Sequence, residues 1–266
     1  MQLRRDNLRG MQRPRPFAIP KEIHVVWIGD DARKPNEWIE TWKQKNPLYR
    51  VTVWGNQELH GRPWKTYSHM CSLLATQIYG VADLMRWEIL SEFGGFTVDA
   101  DTICVSGLDD WLFELEAFAC WENELARPGL ISNAYVASGP RNTFFANLIA
   151  DILRDESVLS RPAWQTVGPL RFTTSYHKHQ YSNLTILPSH FFMPSHFSGV
   201  EYTGSGITYG RQQWASTKSI INASAASEVH HAFNGHGDDL ESLASYSRKH
   251  AELAEEICVT ERGRRR

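Results

Sequence analysis

Two aspartates separated by a single alanine close the apolar run in EFGGFTVDADTICV, residues 92–105. In an extended chain side chains alternate faces, so Asp99 and Asp101 would point together while Ala100 turns away. Like charges side by side repel unless a proton or a cation relieves them. Oxygen donors suit a hard divalent ion. Magnesium in particular is held by one or two carboxylates together with substrate phosphates, and manganese favours similar ligands. The chemistry to expect is therefore a cation and a phosphorylated ligand meeting at a strand end.

Other uses of this spacing differ in what they need nearby. A calcium loop of the EF-hand type is excluded, because Ile103 stands at a ligand position and Cys104 where the loop glycine belongs. A phosphatase of the haloacid dehalogenase type also follows an apolar strand with D-x-D and uses an aspartate nucleophile. It prefers Thr or Val where Ile103 stands, and it gives no role to the segment upstream. A non-catalytic nucleotide-sugar or carbohydrate module stays open as well.

That upstream segment, VADLMRWEILSEFGG, carries Asp83 and Arg86 three residues apart and so on one helical face. Leu84, Met85, Ile89, Leu90 and Phe93 make the helix apolar over much of its circumference, which points the acid and base into a polar cleft. Gly94-Gly95 then turns the chain so that the carboxylate-bearing strand lies beside this helix.

The supporting elements alternate. EIHVVWIG (22–29) reads as a buried strand, residues 35–47 as a helix and 49–54 as a second strand. Residues 69–95 read as helical with the break placed at Gly80, and GFTVDAD follows as a strand. Further strands are expected at 118–121, 133–138 and 184–187, with helices over 142–154 and 239–257. Such alternation predicts an α/β layer architecture. The stretch 189–223, rich in Gly, Ser, His and aromatics, reads as functional loops.

The combination IPKEIHVVWIG, then NP, then ADLMRWEILSEFGGFTVDAD resembles the D-x-D sugar-binding glycosyltransferases related to yeast Och1-type mannosyltransferases and to bacterial capsular polysaccharide enzymes. The large clostridial glucosylating toxins are distant relatives. The resemblance is strong over residues 19–105 and thinner over 130–220. It implies a GT-A-type fold, α/β with a mixed central sheet flanked by helices. It also implies a UDP- or GDP-sugar donor, a Mn2+ or Mg2+ ion, retention of anomeric configuration, and a glycan, glycolipid or protein acceptor.

Carried over by position, Asp99 and Asp101 match the D-x-D. Asp101 is the more direct metal ligand, and Asp99 is shared among ribose, sugar and metal-bound water. Asp83 and Arg86 match the pair that holds the donor sugar and diphosphate. Val26, Trp27 and Ile28 match the strand end against which the nucleotide base packs. Asn133 falls on the acceptor side, as do Gly168 and Pro169 in VGPLRFT, where Val167 replaces the family threonine. In YGRQQWASTKS, Gln212 stands for the family's late metal-side His, Trp214 matches on the donor side, and Lys218 is a further cation.

The bulk of the chain sets limits. Of 266 residues 42% are hydrophobic, enough for one large domain, expected over 19–258 between basic tails at 1–18 and 259–266. A net charge of -2 argues against general nucleic-acid binding. Cys71, Cys104, Cys120 and Cys258 show no C-x-x-C spacing and read as reduced thiols. His177, His179, His190 and His196 fit no standard zinc spacing, and His230, His231 and His236 read as a polar loop. No signal peptide or apolar span is evident, so a soluble cytoplasmic protein is expected. Its Arg-rich ends could give weak peripheral attraction to anionic lipid at the inner membrane face.

Overall fold

The structure is a computed structural model that describes residues 19–215. Tails 1–18 and 259–266, the helix expected over 239–257, Lys218, Cys258, His230, His231 and His236 lie outside the described residues.

The elements in chain order are β1 (Glu22–Val26), α1 (Asn36–Lys45), β2 (Arg50–Trp54), α2 (Asn56–Gly61), α3 (Tyr67–Leu73) and α4 (Ile78–Glu92). Then come β3 (Gly95–Asp99), β4 (Thr102–Cys104), β5 (Ala117–Asn123), β6 (Arg127–Ser138), α5 (Thr143–Arg154), α6 (Ala163–Thr166), α7 (Pro169–His179), β7 (Leu184–Leu187) and β8 (Gly210–Gln212). Six strands form one mixed sheet in the order β2-β1-β3-β6-β5-β7, while β4 and β8 pair separately. The β2-β1-β3 half is parallel, and β6 runs antiparallel to both β3 and β5. This is the expected mixed α/β sheet flanked by helices.

Alternating side chains feed two cores. Phe96, Phe118 and Tyr135 pack with Trp42 of α1 on one face of the sheet. Ala119 and Val136 pack with Leu84 and Trp87 of α4, Phe145 of α5 and Phe172 of α7 on the other. Trp87 is fully buried, stacks on Phe172 at 5.1 Å and donates Nε1–H to the Val167 carbonyl at 2.6 Å. Truncating such a tryptophan costs about 3–5 kcal/mol. Here it would also release the Val167-Gly168 turn from α4.

Three expectations shift. β1 ends at Val26, so Trp27, Ile28 and Gly29 leave the sheet instead of extending the strand to 29. The helical break falls at residues 74–77, between α3 and α4, while Gly80 lies inside α4. A Cβ at Gly80 would stand 2.7 Å from the Ala163 Cβ, so this glycine serves close packing against α6 and does not break the helix. Third, β3 stops at Asp99, and Ala100-Asp101 form a turn into β4.

Candidate active site

Helix α4 is buried over most of its length and brings Asp83 and Arg86 into the interior at 8% and 2% exposure. The chain then reverses through Gly94 and Gly95 at φ +69° and +88°, a left-handed conformation that favours glycine. A Cβ at Gly94 would sit 2.5 Å from the Pro140 nitrogen, so no side chain fits there. The reversal sets β3 beside α4 and delivers Asp99 to the sheet's edge of the cleft, in register with Val26 of β1.

One guanidinium ties this corner together. Arg86 Nη2 bonds Asp99 Oδ1, while Nη1 bonds Asp83 Oδ1 at 3.2 Å and also the Asn133 carbonyl. Asn133 returns Nδ2–H to the same Asp83 oxygen at 2.6 Å. Gly168 backs the carboxyl from the α7 end, where a Cβ would meet Asp83 Oδ2 at 2.9 Å. Burial pushes the Asp83 carboxyl up to about 7 and nearby Asp99 adds to the rise, against the pull of Arg86 and Asn133.

The two carboxylates of the D-x-D do converge, although by a turn and not by strand alternation. Thr102 pins that turn by donating Oγ1–H to the Asp99 carbonyl at 2.6 Å and accepting Trp42 Nε1–H at 3.0 Å. The β4–β8 pairing places Gln212 opposite Thr102. Gln212 Nε2 donates to Asp101 Oδ1 at 2.8 Å and reaches Asp99 Oδ2 at 3.4 Å. Gln213 N–H donates to the Asp101 carbonyl at 2.9 Å and Ala215 N–H to Asp101 Oδ2 at 2.8 Å. Burial, then the neighbouring Asp99 charge, pushes the Asp101 carboxyl up to about 6. Trp214 holds φ +59°, an uncommon region for a bulky residue, and anchors Nε1–H on the Ser195 carbonyl at 2.9 Å.

The donor set fits a hard divalent ion. The two carboxylates offer hard oxygen donors, and Gln212, which turns Nε2 to both acids, keeps a buried Oε1 without a hydrogen-bond partner that a rotation of the amide would bring to them. Among the described residues no group of three or more His, Cys, Asp or Glu could hold a metal. The described residues thus offer part of a coordination shell, an arrangement that a phosphorylated ligand can complete.

A cleft of about 360 Å³ joins these residues: Asp83, Asp99, Asp101, Asn133, Pro169, Gln212 and Trp214 all line it. Five of the residues singled out in the sequence do not. Arg86 sits behind the carboxylates it pairs, and Gly168 supports Asp83 from outside the lining. Val26 and Ile28 are core residues, and half-buried Trp27 donates Nε1–H to the Asp30 carbonyl at 3.2 Å. The lining also includes Tyr79, Glu122, Arg127, Trp164 and Phe197, which the sequence did not single out. Only Phe197 carried a signal, through its place in the loop-like stretch 189–223. The described part of that stretch supplies Met193, Phe197, Gln212 and Trp214 to the cleft. Of the four histidines weighed for zinc, His179 pairs with Asp151 at 2.7 Å, His190 stacks on Tyr202 at 4.1 Å and His196 faces Glu122 at 3.4 Å. Cys104 and Cys120 are buried and in no disulfide.

Residues 33–117 match the family described as "Glycosyltransferase sugar-binding region containing DXD motif", in agreement with the resemblance read from the sequence. Among curated proteins, a mannosyl phosphorylinositol ceramide synthase of Saccharomyces cerevisiae is 29% identical over 145 residues, 52% of this chain and 36% of the relative. Inositol phosphoceramide mannosyltransferase 3 of Schizosaccharomyces pombe is 25% identical over 142 residues, 52% of this chain and 38% of the relative. The chain spans little more than a third of the length of these relatives. Among solved structures, the PaToxG glycosyltransferase aligns at TM-score 0.49 with 19% identity, over 60% of this chain and 70% of that one. The UDP-bound glycosyltransferase domain of the YGT toxin aligns at TM-score 0.46 with 11% identity, over 89% and 99%.

Proposed function

We propose that this chain is a retaining glycosyltransferase that moves a hexose-type sugar from a nucleotide-diphosphate sugar to a hydroxyl acceptor and depends on a divalent metal. The observation that carries the reading is the meeting of Asp99, Asp101 and Gln212 with Asp83 and Asn133 in one cleft. The transferase domain is proposed to span residues 19–258. The relatives' names favour a mannosyl donor and a glycolipid acceptor over a free glycan or a protein.

Asp99 and Asp101, with Gln212 Oε1 once its amide rotates, would hold Mn2+ or Mg2+, which when bound supplies electrostatic stabilisation to the negative charge growing on a leaving diphosphate. Asp83 and Asn133 present a carboxyl and an amide to the donor sugar's hydroxyls. Arg86 acts one layer back: it keeps Asp83 and Asp99 together and sets their orientation. In a retaining reaction of this type the incoming hydroxyl attacks on the face the diphosphate leaves, and a leaving phosphate oxygen takes its proton. No side chain need act as nucleophile. Asp99 is in any case engaged by Arg86, which disfavours an attacking aspartate of the phosphatase kind. Removing one such electrostatic stabiliser typically costs about 10²–10³ in rate.

Among the described residues no helix is long and apolar enough to cross a membrane. Peripheral attraction through the basic tails remains part of the proposal.

The test is incubation with a panel of UDP- and GDP-sugars in Mn2+, following nucleotide release with and without chelator. Release that chelator abolishes and added Mn2+ restores is the expected result. Undiminished release in chelator would remove the metal. Phosphate release from a simple phosphoester with no turnover of any nucleotide-sugar would make the protein a phosphatase. Binding without turnover would make it a carbohydrate or nucleotide module.

A further inference from the structure

One hydroxyl beneath the donor corner has no role in the packing around it. Tyr135 of β6 is fully buried and pairs in register with Val98 of β3, the residue before Asp99. Its ring lies among other rings: Phe192 at 4.9 Å, Trp42 at 6.3 Å and Phe96 at 6.4 Å. Phenylalanine would serve that packing as well. Yet Oη is buried and has no hydrogen-bond partner among the described residues, so the hydroxyl opposes folding unless something else uses it.

What surrounds Oη belongs to the D-x-D turn and the strands that hold it. Gly210 begins β8 against the ring: a Cβ there would stand 3.2 Å from Cε1 and 3.3 Å from Oη, so the strand passes close for want of a side chain. Two residues along β8 comes Gln212, opposite Thr102 of β4. Burial pushes the Tyr135 phenol well up, Cys120, Asp99 and Asp101 add to the rise, and Thr102 pulls against it; the turn's own groups therefore lie around this oxygen. Thr102 has one place left to bond. Its Oγ1 gives its single proton to the Asp99 carbonyl and takes Trp42 Nε1–H on one lone pair, which leaves the second for another donor. Tyr135 O–H is the unused donor at hand.

We infer that Tyr135 is a positioning residue for the metal site: as Asp99 and Asp101 close on a cation, their turn settles onto the phenol, and Tyr135 O–H donates to the open lone pair of Thr102 Oγ1. The inference rests on the metal-dependent reading above and adds a residue of the sheet that tunes the ion's affinity. The coupling is reciprocal, so whatever the new bond contributes to the settled turn appears as tighter binding of the cation. Tyr135 acts through Thr102 and the Asp99 main chain, and touches neither ion nor donor.

The experiment uses the full chain and compares wild type with Tyr135→Phe, which removes the hydroxyl and keeps the ring. Mn2+ is titrated with UDP and, separately, with GDP present, followed by electron paramagnetic resonance, and melts are recorded in chelator. Tyr135→Phe should raise the Mn2+ Kd roughly 3- to 10-fold, the range for one neutral hydrogen bond, while its melting temperature in chelator equals or exceeds that of wild type. In nucleotide release, half-saturating Mn2+ should rise by the same factor and the rate at saturating Mn2+ return to within about twofold. Thr102→Ala should weaken Mn2+ binding too, and adding Tyr135→Phe to it should weaken it no further. An unchanged Mn2+ Kd in Tyr135→Phe, a lower melting temperature in chelator, or fully additive losses in the double variant would overturn the inference. Where Thr102→Ala does not fold, the single variant decides. Wild type that binds no Mn2+ with either nucleotide sinks the metal reading and this inference with it, a result distinct from wild type and variant binding the ion alike.

Discussion

Asp101→Asn should stabilise the metal-free protein while abolishing its metal-dependent activity. Burial and the Asp99 charge lift the Asp101 carboxyl from 3.8 to about 6. Ionised at pH 8 without a cation, it therefore opposes folding by up to about 3 kcal/mol. Asp101 is half-buried, and relaxation of the turn with some water access reduces the expected gain to about 2 kcal/mol. The sign follows from linkage. The folded protein holds this proton to higher pH than the unfolded chain, so its contribution is fully present below pH ~4 and lost as pH rises through about 6. For a domain of this size the gain amounts to about 4–8 °C in melting temperature. Melts in chelator should show the variant above wild type at pH 8, with the gap closing toward pH 4. With Mn2+ and UDP present the wild type should recover ground by mass action, about 2.7 kcal/mol at a hundredfold excess over Kd, and the variant should not. A variant that melts below wild type in chelator at pH 8, or a gap independent of pH, would refute the claim that the two carboxylates strain each other.

Arg86→Ala should lose both activity and stability, by about 3–5 kcal/mol, because it strands Asp83 and Asp99 without their shared partner. Arg86→Lys should recover part of the stability and little of the turnover, and chemical denaturation alongside nucleotide release measures the two separately. Gly168→Ala brings a methyl to within 2.9 Å of Asp83 Oδ2 and of the Trp164 Cα, and should cost about 1–3 kcal/mol and lower kcat; wild-type kinetics would remove Gly168 from the site. Gln212→Ala should weaken Mn2+ binding roughly tenfold in an electron paramagnetic resonance titration, and unchanged affinity would leave the amide outside the coordination shell.

Much of the donor corner was legible because it rests on local rules. The 3.6-residue period placed Asp83 and Arg86 together, and Gly94-Gly95 foretold the reversal that carries β3 alongside. Strand alternation gave the right partnership for Asp99 and Asp101 for the wrong reason. The chain turns at Ala100, and what holds the pair is the adjoining Thr102, Trp42 60 residues before Thr102, and the Gln212–Ala215 segment 111 to 114 residues beyond Asp101. Gly80 misled because a helical glycine can mark a break or a close approach, and only the position of Ala163 decides. Glu122 and Arg127 carried no signal, since an irregular hairpin has no period to read and their neighbours Trp164 and Phe197 arrive from the short helix α6 and from a separate loop.

The charge balance of the cleft explains why its parts must act jointly. Asp83, Asp99 and Asp101 face a single guanidinium among the described residues, Arg86, which is buried behind them with both Nη atoms engaged by two carboxylates and a carbonyl. A diphosphate alone would meet net negative charge with no cationic side chain of the donor corner turned toward it among the described residues, so a cation that comes with it relieves the repulsion. The same excess weakens the empty protein, which is why burial has driven two of the three carboxyls toward their neutral forms. A lysine or arginine in the lining would cure both problems and remove the need for a metal. That none stands among the described residues in the donor part of the lining, while Gln212 turns its Nε2 to the two acids and leaves Oε1 without a partner, favours a cation arriving with the ligand as the completion of this site.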